Sequence, residues 1–240
     1  MFKRLLLTFV FFTTVILLLS CKSNYDSTDE IKLKFSEIDF LNNKLPVIND
    51  TSDIVTVREY NNDNFTQILY KKKYDSDSAL FSAIIIDGLT YDFGEVDYDV
   101  SQYLIDDNRH KVKDVVINEK LSLCKIFVSY GTSAFSDRYF KIVDNVPYVL
   151  AEIYGSDDYD LDGDGEKETV SQVGTLPVIT IYEWTDDGLL YCDLKELVDN
   201  YYGGSYDVDA NEIILSRLLN DQVGEQERYK YRDGILYRIR

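Results

Sequence analysis

Residues 157–168 read DDYDLDGDGEKE, a stretch in which Asp160, Asp162 and Asp164 stand at alternate positions and Glu168 follows four residues later. A hard divalent cation takes six to eight oxygen ligands, and alternate residues of a tight loop can turn their carboxylates toward one centre. Gly165 falls at the sixth position counted from Asp160, where the chain must turn sharply and a residue without Cβ adopts φ > 0 at little cost. The next carbonyl, that of Glu166, then faces inward. The expected calcium ligands are therefore the side chains of Asp160, Asp162, Asp164 and Glu168 and the backbone oxygen of Glu166. An EF-hand would close with a bidentate Glu at position twelve, but that position is Ser171. Thr169–Val173 alternates β-branched and polar residues, which predicts that the loop joins two strands. Asp and Gly are also ordinary turn residues, so an acidic turn without metal is the competing reading.

Other chemistry is sparse. The single histidine, His110, lies beside Lys111 in a polar stretch and is expected to be exposed, which argues against a histidine-based triad. Acid pairs are plentiful, so a hydrolase using two carboxylates is kept as an alternative without named catalytic residues. The formal net charge of −18 disfavours nucleic acid and anionic lipid headgroups and favours bound cations.

Compartment follows from the N-terminus. Lys3 and Arg4 precede an apolar run from Leu5 to Leu19, as in a secretory signal covering residues 1–20. Leu18-Leu19-Ser20-Cys21 resembles the lipobox of bacterial lipoproteins, in which the cysteine receives the lipid. That resemblance implies an anchor at Cys21 and a protein held on the extracellular face of the cell membrane. Residues 21–50 read as a tether and an irregular segment, with room for one short helix in Ile31–Leu45. Cys124 and Cys192 sit in apolar, strand-like runs, where free buried thiols are commoner than a disulfide.

Residues 51–240 read as one β-rich domain. Ile54–Tyr60, Phe65–Lys72, Phe81–Ile86, Val112–Ile117, Leu123–Tyr130, Tyr139–Val143, Pro147–Ile153 and Val178–Trp184 are rich in Val, Ile, Tyr, Phe and Thr. Asp87-Gly88, Asp144-Asn145, Asp187-Gly188 and Asp233-Gly234 sit between apolar runs and predict hairpin turns. One helix is expected over residues 193–202, with Asp193 as N-cap and Gly203-Gly204 as its stop. The many tyrosines suit half-buried strand faces, with a sugar-binding aromatic platform as the alternative.

An internal echo places Asp106 under Asp160, so that Asn108 and Asp114 fall on loop positions three and nine while His110 and Lys111 replace the third Asp and the glycine. A weaker echo is Asp207-Val208-Asp209-Ala210-Asn211. DLDGDGEKETV followed by the strand VITIYEW is similar to the FG-GAP or VCBS-type repeat of calcium-binding β-propellers found in Gram-positive lipoproteins. FSAIIIDGLTYDFGEV and QYLIDDNRHKVKDVV resemble earlier parts of such proteins, so the likeness spans residues 80–240. It implies four-stranded blades of about 50 residues with calcium between two strands of a blade, and residues 50–240 would give about four. The expected fold is all-β, a small or incomplete propeller, with a meander or sandwich of the same hairpins as the alternative. The expected function is a lipid-anchored binding or scaffold module with structural calcium, partnered by an envelope protein or polysaccharide; a structural accessory subunit of an envelope complex is a further alternative.

Overall fold

The computed structural model describes residues 29–74, 79–98, 108–131, 134–220 and 222–239. Residues 1–20, expected to be a signal sequence, and Cys21 lie outside them, as do Asp106 and part of the stretch that precedes it. The chain divides into Met1–Glu30 and a compact unit, Ile31–Arg240.

Four antiparallel sheets follow one another along the unit. The first is β4 (Ile54–Asn61), β5 (Thr66–Lys72), β6 (Leu80–Ile86) and β7 (Leu89–Asp97), in that order. The second is β8 (Lys113–Val116), β9 (Ser122–Ser129), β10 (Phe135–Val143) and β11 (Val146–Tyr154). The third is β12 (Ser156–Tyr159), β13 (Glu168–Val173), β14 (Val178–Trp184) and β15 (Gly188–Asp193). The fourth runs β16 (Tyr201–Asp207), β17 (Glu212–Leu219), β19 (Glu227–Arg232) and β20 (Ile235–Arg238), with β18 (Gln222–Val223) paired to β17. No sheet closes into a barrel, and the fold class is all-β.

Local chemistry explains the hairpins. Asp87-Gly88, Asp144-Asn145 and Asp233-Gly234 each place two successive residues at positive φ, between 48° and 78°, the geometry whose twist matches paired strands. Asp187-Gly188 differs, because neither residue has positive φ. Gly188 is needed for space: a Cβ there would meet the Ile38 carbonyl oxygen at 2.6 Å.

Ile38 belongs to an N-terminal strap that crosses all four sheets in reverse order. β1 (Glu30–Lys32) pairs with β20, β2 (Ser36–Asp39) with β15, and β3 (Asn43–Lys44) with β11. A final bridge joins Val47 to Tyr91 of β7. Residues 31–45, expected to be irregular or briefly helical, are thus largely extended. The physical reason is the period-two spacing of Ile31, Leu33 and Phe35, which sends three apolar side chains to one core. The helix expected over 193–202 is also shorter. α1 spans Leu194–Leu197, capped by the Asp193 carboxylate accepting from Lys195 N–H. Gly203 and Gly204 lie inside β16 rather than ending the helix; at Gly204 an added Cβ would come within 2.7 Å of Ile179, whereas Gly203 has room for one.

The core consists of layers between sheets. Ile126, Val128 and Phe140 of the second sheet pack against Leu69, Ile84 and Phe93 of the first. Leu123, Tyr139 and Ile153 turn the other way, toward Trp184 and Leu189 of the third sheet. Ile179 and Ile181 then face Ile213, Leu215 and Tyr229 of the fourth. Alternation along β9 and β14 therefore feeds two cores, since both faces of the middle sheets are covered. Trp184 lies 4.9 Å from the Tyr139 ring and 6.0 Å from Phe40, with its indole N–H donating to Thr169 Oγ1 at 2.9 Å.

Candidate functional site

The acidic loop joins β12 to β13, two paired strands, with Tyr159 opposite Glu168 at its base. Gly163 and Gly165 take φ of 82° and 93°, so both glycines are required by the turn. Asp160 accepts from Gly163 N–H at 2.7 Å and Gly165 N–H at 3.1 Å. Asp162 Oδ1 accepts from Asp164 N–H, and Asp164 Oδ1 from Glu166 N–H. Each carboxylate holds the backbone two to five residues onward, and this chain of side-chain turns folds the loop back on itself.

The result brings one oxygen each from Asp160, Asp162 and Asp164 within 4.8 Å of one another. Among the described residues this is the group of acids close enough to share a cation. Glu168 lies outside that group but beside it. It opens β13, is only 6% exposed, and accepts Leu161 N–H at 2.9 Å. Burial, joined by the charges of Asp162 and Asp164, pushes its carboxyl up to about 8. Glu166 is exposed and donates its N–H to Asp164.

Neighbouring sheets hold the loop in place. Lys167 N–H donates to the Ile117 carbonyl from the second sheet at 2.8 Å. From the fourth sheet, the Asn211 amide donates to the carbonyls of Asp160 and Leu161, and Tyr206 O–H orients that amide through its oxygen at 2.8 Å. Asp207–Asn211, the weaker echo, thus occupies the first-to-second strand turn of its sheet, the place the acidic loop has in the third. The stronger echo does not align equivalent strands: it sets β8, the first strand of its sheet, on β13, the second of its own.

A cleft of about 340 Å³ opens beside the loop, lined by Asp162, Asp164, Glu166 and Glu168 together with Glu183 and Asp233. Its acids are therefore mostly those of the loop.

Three polar features were not legible in the sequence. His110, expected to be exposed, is 1% exposed, with Nε2 3.0 Å from Asp97 Oδ2 and Nδ1 3.1 Å from the Phe127 carbonyl. Its neighbours Arg109 and Lys111 are exposed, while the ring is held in the core by Asp97 and the Phe127 carbonyl. Gln67 ties the same region together, donating to Ser82 Oγ and the His110 carbonyl and accepting Val112 N–H. Lys125 bridges Asp137 and Asp158 at 2.9 and 2.8 Å between the second and third sheets. Burial would lower its affinity for a proton, but the two carboxylates outweigh burial and raise it. A lysine inside the apolar run LSLCKIFVSY was the available signal. Cys124 and Cys192 are free thiols on different sheets.

Comparison with protein-family models, with curated proteins and with solved structures gives no match.

Proposed function

We propose that this protein is a lipid-anchored, calcium-stabilised binding or scaffold module on the outer face of the cell membrane, built as a small, incomplete propeller of the FG-GAP or VCBS kind. The observation that carries the reading is the convergence of Asp160, Asp162 and Asp164 in a strand-to-strand loop. Calcium fits the donor set: all the oxygens are hard, the carboxylates keep lone pairs beyond those used in the loop, and Glu168 adds a carboxyl on the buried side. When bound, the ion would neutralise the repulsion among these acids. Asp160, Asp162, Asp164 and Glu168 would hold it through side chains and Glu166 through its carbonyl.

Four successive four-stranded meanders support the blade reading, and the loop's place between first and second strands suits the repeat. Cores join the first sheet to the second, the second to the third and the third to the fourth, and among the described residues none joins the fourth to the first; this favours an open array. Most of the acids lining the cleft beside the loop belong to the loop itself, which favours cation binding over a hydrolytic carboxylate pair. Cys21 carries the anchor and the localisation.

Two measurements test the reading. Equilibrium dialysis of the full chain should show one calcium bound, lost in Asp160→Asn with Asp162→Asn. Cys21→Ser should release the chain to the medium or leave uncleaved precursor. Equal calcium binding by wild type and double variant would remove the metal, and unchanged membrane retention with normal processing would remove the anchor.

A further inference from the structure

The geometry points to a second site, distinct from the acidic loop: a cleft at the open end of the layer between the second and third sheets that binds one anionic pyranose, a uronate or a sugar phosphate. The chain carries 43 acids against 25 Lys and Arg, yet Arg109, Lys111, Lys113 and Lys125 all line this one cleft of about 230 Å³. Burial alternates through the turn that leads into β8: His110 and Val112 lie in the core, while Arg109, Lys111 and Lys113 are exposed.

The strand register places Lys113 of β8 directly opposite Lys125 of β9. Like charges across a strand pair are unfavourable unless something compensates them. Lys125 is compensated by Asp137 and Asp158, whereas among the described residues neither Lys111 nor Lys113 has an ion-pair partner. The Asp137 carboxylate, already engaged by Lys125 and by Ser156 O–H, has little left for the outer lysines. An anion seated in the cleft beside Lys113 would remove its repulsion with Lys125, and Lys111, whose ammonium lies 5.9 Å from the Tyr60 ring centre, lines the same cleft.

The rest of the cleft suits a sugar. Arg109 lies over the Phe127 ring at 5.6 Å, and Phe127 stacks on Phe135 with centroids 5.3 Å apart and planes at 27°. Phe135 remains 41% exposed, leaving a ring for the apolar face of a pyranose. Asp157, exposed at the rim, can accept from hydroxyls. The volume falls below the roughly 300–1,000 Å³ that encloses a drug-sized ligand, so one sugar ring fits rather than a peptide. Net charge of −18 also limits the ligand: charges on a long polyanion would run onto acidic surface. The ligand is therefore an isolated anionic sugar, free or within an otherwise neutral glycan.

The test is calorimetric titration of the full chain in detergent with glucuronate, glucose 6-phosphate, glucose, acetate and inorganic phosphate. Glucuronate and glucose 6-phosphate should bind at least tenfold more tightly than glucose or either bare anion. Lys111→Ala with Lys113→Ala should weaken both at least tenfold, and Phe135→Ala should weaken the sugars without changing the bare anions. All three side chains are exposed, so melting temperatures should stay near wild type. Glucose binding as well as glucuronate would overturn the charge reading, and phosphate binding as well as glucose 6-phosphate would overturn the sugar. Absence of binding overturns the site, as would lysine variants that self-associate with affinity unchanged, because the lysines would then only guard the β8 edge.

Discussion

The side-chain amide of Asn211 sits 3.2 Å from the backbone carbonyl of Asp160, and equally far from that of Leu161, so the turn of the fourth sheet holds the base of the acidic loop in the third. Asn211→Ala removes both bonds and leaves two partly buried carbonyls unpaired. We expect a loss of about 1–2 kcal/mol in stability, on the scale of one or two hydrogen bonds. Calcium affinity should fall as well, because the loop loses a brace. Urea unfolding with and without calcium checks both, and an unchanged calcium response would show that the brace does not organise the loop.

Calcium itself should act as a modest stabiliser. Extracellular modules bind it with Kd of roughly 10⁻⁴ to 10⁻³ M. At about 1 mM, mass action then gives roughly 0.4 to 1.4 kcal/mol. For a domain of this size each kcal/mol moves Tm by about 2–4 °C. Chelation should lower the melting temperature of wild type by a few degrees on that scale. Asp160→Ala with Asp162→Ala should melt low and ignore calcium. Magnesium should substitute poorly, since it demands a tighter octahedral shell. Coincident melts of wild type and variant would leave the loop as a turn only.

Lys125→Met should be far more damaging than loss of an exposed lysine. Asp137 and Asp158 would share a buried site without their common cation, and breaking such a pair from one side typically costs about 3–5 kcal/mol. Replacing Lys113, on the exposed edge strand, should stay within about 0.5 kcal/mol. The two urea midpoints side by side decide the matter.

His110→Ala should also destabilise, by about 2–4 kcal/mol, because it leaves the Asp97 carboxylate and the Phe127 carbonyl facing a cavity. An exposed histidine would give almost nothing. Chemical denaturation of this variant therefore tests the burial of a residue that the sequence placed at the surface.

Alkaline pH should unfold the protein through its phenols. Burial pushes Tyr130, Tyr159, Tyr206 and Tyr229 up to about 12 from an ordinary 10.0. The unfolded chain then loses these protons first, so the phenolic contribution to stability is intact below about pH 10 and falls as pH rises toward 12. Burial likewise pushes Cys124 up to about 12, adding to the same loss from its ordinary 9.0 and making it slow to alkylate at neutral pH. Phenolate absorbance should appear together with loss of β structure rather than before it. Independent titration of a folded chain would contradict the burial of these rings.

Much of this protein was determined by local sequence. Alternating apolar residues mark many of the strands, and Asp-Gly or Asp-Asn pairs set the β6–β7, β10–β11 and β19–β20 hairpins, because side-chain period and positive φ are properties of a few neighbouring residues. The acidic loop was legible for the same reason: Asp160, Asp162, Asp164 and the two glycines act on one another within six residues. What lay at a distance was left to the tertiary structure. The period-two spacing of Ile31, Leu33 and Phe35 suits an extended chain, but the strap from Ile31 to Val47 pairs as it does because four separate sheets offer it an edge. Gly204 sits inside β16 where the Ile179 side chain leaves no room for a Cβ, which no local rule reports. His110 and Lys125 found partners 12 to 33 residues away, and solvent exclusion between packed sheets, rather than their own neighbours, decided that they would be buried and paired.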